Sequence, residues 1–155
     1  MSLVKSFNFL SATLFCLVLI KQTNSQFELC ETKAGTFNAT IESVTGCSDG
    51  VCNFKMETWV AATILITPKV TSKSLVVEGF AKWSFLNIKL PHVRRDGCVG
   101  FKESCPWPAN QTRRRLVWFY IPYLWFEVSP TVRFIITNDK QQVVACFESV
   151  VNLIK

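Results

Sequence analysis

Three sets of side chains in this 155-residue chain could do chemistry: seven cysteines, one histidine, and scattered carboxylates. Thiols clustered with a histidine could ligate zinc or supply a nucleophile. Neither pattern fits here. Cys47 and Cys52 have four residues between them, and Cys98 and Cys105 have six. Neither is a C-x2-C pair, and His92 has no partner at ligand spacing, so no metal is expected. There is no G-x-S-x-G elbow to activate a serine, and no glycine-rich loop to cradle a phosphate. Glu42, Glu57, Glu78, Glu103, Glu127 and Glu148 fall singly, whereas acid-base catalysis needs two carboxylates converging in a cleft. The chain reads as a non-enzyme that uses no cofactor.

The aromatic residues offer a different chemistry. All five Trp, both Tyr and all Phe except Phe7, Phe9 and Phe15 lie beyond residue 25, with Trp118-Phe119-Tyr120 and Tyr123-Leu124-Trp125-Phe126 almost adjacent. Aromatics fill sandwich cores, and the same side chains could instead line a cavity for a lipid, with Tyr123 to Phe126 at its mouth. On this reading Trp118, Tyr123 and Trp125 are cavity residues. Arg94-Arg95 and Arg113-Arg114-Arg115 are either solvated edge charges that discourage sheet-to-sheet pairing or docking points for an anionic membrane.

Residues 1–25 read as a signal peptide: Lys5 in a basic start, an apolar run from Phe7 to Ile20, and Thr23-Asn24-Ser25 before the cut. The run is shorter than the roughly 17 to 25 residues a spanning helix needs. Removing the leader takes Cys16 with it and leaves six cysteines in an exported chain, an even count that predicts a disulfide framework. Proximity suggests Cys47 with Cys52 and Cys98 with Cys105, which leaves Cys30 and Cys146. Asn38-Ala39-Thr40 and Asn110-Gln111-Thr112 are glycosylation sequons at Asn38 and Asn110. Formal charge is +6, falling by the two leader lysines Lys5 and Lys21 to +4. This is too mild a bias for a nucleic-acid binder.

The elements that must position these side chains are strands. Phe37 to Ser43, Phe54 to Thr67, Ser74 to Ile88, Arg114 to Tyr123, Thr131 to Thr137 and Val143 to Ile154 are rich in Val, Ile, Thr, Phe and Trp, with turn residues between them. No run combines a cap with helical periodicity. Alternation puts Phe54, Met56, Thr58, Val60, Ala62, Ile64 and Ile66 on one face of the second run, and Val132, Phe134 and Ile136 on one face of the fifth. The expectation is an all-β, two-sheet antiparallel sandwich spanning 26–155 as one domain.

Taken in order, Cys30, Cys47-Ser-Asp-Gly-Val-Cys52, Val77-x-Gly79, Asp96-Gly97-Cys98, Cys105-Pro106, Ile121-Pro122-Tyr123, and Asn138-Asp139 leading to Ala145-Cys146 resemble the ML, or myeloid-differentiation-2-related lipid-recognition, family. The nearest type is the Niemann-Pick type C2-like secreted proteins. The resemblance implies an immunoglobulin-like sandwich with bridges Cys30–Cys146, Cys47–Cys52 and Cys98–Cys105 and an apolar cavity between the sheets. It implies a hydrophobic partner, a sterol, fatty acid or other lipid, lined by Phe54, Val60, Ala62, Ile64, Ile66, Val77, Tyr123, Phe134 and Phe147, with Leu90 near a ligand-touching position. Met56-Glu57 replaces the family's K-G, and Glu78 replaces the His of its V-H-G. The implied role is a secreted lipid carrier, extracellular or in the lysosomal lumen. The alternatives are an innate-immune co-receptor or adaptor that binds a membrane receptor through Trp107 or Trp125 beside the arginines, and a closed core with no ligand.

Overall fold

A computed structural model describes residues 27–30, 38–98 and 105–155. The expected signal peptide at 1–25 lies outside the described residues. Eleven strands follow in order: β1 (Glu28–Leu29), β2 (Asn38–Val44), β3 (Cys47–Ser48), β4 (Val51–Lys55), β5 (Thr58–Thr67), β6 (Leu75–Trp83), β7 (Leu86–Lys89), β8 (Arg113–Ile121), β9 (Thr131–Asn138), β10 (Val143–Val150) and β11 (Asn152–Ile154). A five-stranded sheet, β1-β10-β9-β6-β7, packs on a three-stranded sheet, β2-β5-β8, and a small sheet, β11-β4-β3, flanks them. The molecule is an immunoglobulin-like β-sandwich.

Three of the expected runs are each two strands. The second breaks at Met56-Glu57, where Glu57 takes φ 60° and the Thr58 hydroxyl donates to the Lys55 carbonyl at 2.6 Å. The third turns back at Ser84 (φ 53°), so β6 and β7 form a hairpin. The last breaks at Val151, whose N–H donates to the Pro130 carbonyl at 3.0 Å rather than to a neighbouring strand. The inner face survives the first break: Phe54, Met56, Val60, Ala62, Ile64 and Ile66 are all buried.

The two sheets meet through Phe119 and Phe134, whose rings are 4.7 Å apart, and through Phe54 packed edge-on against Phe119 at 5.6 Å. On the β7/β8 side the gap between the sheets is closed by residues 90–96. Leu90 N donates to Gly79 O, and Val77 N to Arg95 O, on one sheet; Arg94 N donates to Trp118 O, and Tyr120 N to His92 O, on the other. These four bonds make the segment a strap between the sheets. Gly79 is needed beneath it, because a Cβ there would stand 2.9 Å from Phe134 Cε1 and from Val93 Cγ2.

The bridges are Cys30–Cys146, Cys47–Cys52 and Cys98–Cys105, with sequence separations of 116, 5 and 7. At the end where β8 begins, Trp107 is fully buried and the Arg115 guanidinium lies 4.2 Å from its ring centre. This corrects two expectations for the arginine run. Arg115 faces inward, and Arg114 makes a two-pronged pair with Glu42, so the run is not an open docking patch. Nor is Trp107 exposed beside it.

Candidate functional site

The opposite side of the sandwich, between β1 and β2, carries the opening. β1 is the last strand of one sheet and β2 of the other, and no strap is hydrogen-bonded across them among the described residues. An apolar cleft enters here. Phe27, Ile41 and Val44 stand at its mouth, Ala62, Ile64 and Val117 form one wall, and Phe134, Ile136 and Phe147 the other. No lining side chain is polar. Its free volume is about 10 Å³, room for no more than a single water-sized sphere.

Each wall follows from the pleat. Ala62 and Ile64 alternate inward on β5, Val117 does so on β8, and Phe134 and Ile136 on β9, each pair two residues apart. Phe147 is brought opposite Phe134 by the β9/β10 register. The mouth has a different origin: Ile41 and Val44 are three residues apart and reach the same cleft because a bulge between Ile41 and Ser43 shifts the parity of β2.

A second, wetter hollow of about 390 Å³ opens beside the cleft and shares Phe27, Ile41 and Val44 with it. Its outer wall is polar, with Glu42, Ser43, Ser48 and Asp49 around the Cys47–Cys52 bridge. The Glu42 carboxyl is held below the usual carboxylate range, chiefly by the hydrogen bond from Arg114. The arrangement is an apolar slot with a hydrophilic threshold. It suits a molecule with a hydrocarbon body and one polar end, which would cost about 1 to 3 kcal/mol to bury unpaired.

Of the residues expected around a cavity, Ala62, Ile64, Phe134 and Phe147 line this cleft. Phe54, Val60, Ile66 and Val77 are buried in the same inter-sheet layer without reaching it. Leu90 is half-buried on the strap, where its Cδ1 packs against Gly79.

Three expectations are corrected. Trp118 projects from the outer face of β8, since the inward residues are Arg115, Val117, Phe119 and Ile121; it lines a surface hollow with Trp59 and His92. Tyr123 and Trp125 are exposed at the end of the sandwich, with rings 5.5 Å apart, because Leu124 between them turns inward and its amide donates to Met56 Sδ at 3.4 Å. The mouth of the cleft is therefore at β1/β2 and not at 123–126.

Sequence reasoning missed Phe27, Ile41, Val44 and Val117 as lining residues. Val117 was available from strand alternation. Phe27 was not, since its place depends on β1 pairing with β10.

Among the described residues no three His, Cys, Asp or Glu side chains gather as a metal site, and no helix is long and apolar enough to cross a membrane. Both sequon asparagines, Asn38 and Asn110, reach solvent.

Comparison with known proteins gives two results. A family model for the ML domain matches residues 24–153. Among solved structures, a Niemann-Pick type C2 protein from the Japanese carpenter ant superposes with a TM-score of 0.69 at 18% identity, covering 83% of this chain and 98% of that one. Chicken MD-1 complexed with lipid IVa gives a TM-score of 0.48 at 14% identity, covering 81% and 87%. No curated protein matches by sequence.

Proposed function

The chain belongs to the ML-domain family, whose members recognise lipids, and from that premise we propose that it is a secreted carrier holding one fatty acid, sterol or similar molecule in the cleft between its sheets. The observation that carries this reading is the slot with all-apolar walls opening onto a polar threshold at β1/β2. Secretion is supported by the signal-like residues 1–25 and the three disulfides. A ligand of about 20 to 28 heavy atoms at about 0.3 kcal/mol per atom gains roughly 6 to 8 kcal/mol, which corresponds to micromolar affinity.

Ligand pockets usually measure about 300 to 1,000 Å³, so a cleft of about 10 Å³ must widen to admit such a molecule. The strap ties the β7/β8 side to both sheets, and among the described residues no such segment bonds across β1 and β2, which is where this reading places the widening. The same narrowness favours a second reading, a packed core with no ligand.

Displacement of a fluorescent fatty acid and a fluorescent sterol separates the two. The carrier reading expects wild-type uptake in the micromolar range and loss of uptake in Ala62→Phe, which fills the slot at a stability cost of about 1 to 3 kcal/mol. No uptake by the wild type up to about 100 times that range, with the bridges intact, supports the packed core.

A further inference from the structure

The outer face of the β2-β5-β8 sheet carries an aromatic hollow that the cleft does not use. The strap extends this sheet on the β8 side: Arg94 N donates to Trp118 O, Tyr120 N donates to His92 O, and Val93 bridges Phe119. On the other side, β5 sets Trp59 opposite Tyr120 and Ala61 opposite Trp118. Two rows therefore cross the face, Trp59-Tyr120-His92 and Ala61-Trp118-Arg94. Their side chains point outward, because Val60, Phe119 and Val93 between them are buried.

Ring packing holds the first row in place. The Trp59 and Tyr120 rings are 5.4 Å apart, and the His92 ring meets Tyr120 edge-on at 5.9 Å. In the second row the small Ala61 leaves room beside both tryptophans. The result is a hollow of about 630 Å³ lined by Trp59 and Trp118 on the sheet and by Pro91, His92, Val93 and Arg94 on the strap. That is within the range of about 300 to 1,000 Å³ usual for ligand sites. Trp59 is 55% exposed, so its ring is open to a ligand.

The lining offers two kinds of recognition side by side. Indole faces attract cations, and quaternary ammonium groups are the ligands that aromatic clusters of this kind accept. The Arg94 side chain is exposed and makes no ion pair among the described residues, which leaves its guanidinium available to a phosphate. Asp96, two residues along the strap, accepts from the Cys98 N–H at 2.8 Å, and Arg95 is turned to Glu78. No carboxylate lines the hollow among the described residues, so a bare cation would meet only the repulsion of Arg94. A zwitterion can use both parts. Trp118 and Arg94 stand on neighbouring strands, about 4.8 Å apart, a distance that the two-carbon link between the ammonium and phosphate of phosphocholine spans.

We propose that this hollow binds phosphocholine groups, with the trimethylammonium against Trp59 and Trp118 and the phosphate on Arg94. The site lies on the outside of the sheet whose inner face walls the cleft, and it does not depend on what the cleft holds.

The test is titration of the full disulfide-bonded chain, nitrogen-15 labelled, with phosphocholine, choline and inorganic phosphate, read from the indole N–H signals. Phosphocholine should bind in the millimolar range or below, at least tenfold more tightly than choline or phosphate, and should shift the Trp59 and Trp118 signals. Trp59→Ser and Arg94→Gln, both at exposed side chains, should each lose at least tenfold while keeping the wild-type thermal midpoint, and Trp125→Ser should bind as the wild type does. Elution of the chain from phosphocholine-agarose separates the sources of the group: release by a phosphocholine-conjugated carrier protein alone means a soluble source, release by phosphatidylcholine vesicles as well means a bilayer, and both fit the site. Unmoved indole signals, equal binding of phosphate and phosphocholine, full binding by Trp59→Ser or Arg94→Gln, or release by neither competitor would overturn the proposal.

Discussion

Trp107 and Arg115 show how a charged side chain can be part of the core. The ring is fully buried, its indole N–H donates to the Gln111 carbonyl at 2.9 Å, and the guanidinium lies over its face. Trp107→Ala removes both the packing and the surface on which Arg115 rests. It should cost about 3 to 5 kcal/mol, read as a lower urea midpoint. Residue type alone made Arg113 to Arg115 read as surface. Strand parity was the better guide: Val117, Phe119 and Ile121 alternate inward, and continuing the count backward puts Arg115 with them. What the sequence could not supply is the partner, since Trp107 meets Arg115 through a turn whose path is set by tertiary contacts.

At the scale of elements, the strap 90–96 ties one side of the sandwich across both sheets. Glu78 on β6 pairs with Lys89 and, at 3.4 Å, with Arg95, and so helps hold both ends of the strap. Hydrogen bonding from Lys89 is the main reason its carboxyl is held below the usual range. A carboxyl with a lowered folded pKa contributes stability above its unfolded value, about 4.3, and loses that contribution as pH falls through the lower folded value. Stability should therefore hold from pH 7 to about 5 as far as this group is concerned. Glu78→Gln should be less acid-sensitive below about pH 4 while differing from the wild type by no more than about 1 kcal/mol at neutral pH, as suits a solvent-exposed pair. Thermal unfolding as a function of pH checks both arms. The strands themselves were legible from their Val, Ile and Phe content. The breaks at Met56-Glu57 and Ser84 and the β2 bulge were not, because each depends on backbone pairing that alternation does not encode.

Over the whole molecule, the Cys30–Cys146 bridge joins the start of the described domain to β10 across 116 residues. In the chain-entropy account a loop of that length is worth about 4 to 5 kcal/mol. The variant Cys30→Ser/Cys146→Ser should lose about that much in urea unfolding and should bind any cleft ligand more weakly, since β1 carries one lip of the mouth. Cysteine spacing made the framework readable, and the inward set Ala62, Ile64, Phe134 and Phe147 was readable from pleat and family pattern together. The position of the mouth was not. It follows from tertiary packing: β1 and β2 end different sheets, Phe27 and Ile41 meet at one cleft, and the strap bonds across the other side. The most direct test of the central claim is photo-crosslinking of the full disulfide-bonded chain with a diazirine fatty acid and a diazirine sterol, followed by peptide mapping. Label concentrated on the β5, β8, β9 and β10 segments that contain Ala62, Ile64, Val117, Phe134 and Phe147 is the predicted result. Label confined to the outer surface or to the loops at 83–86 and 123–126, or no label at all, would contradict it.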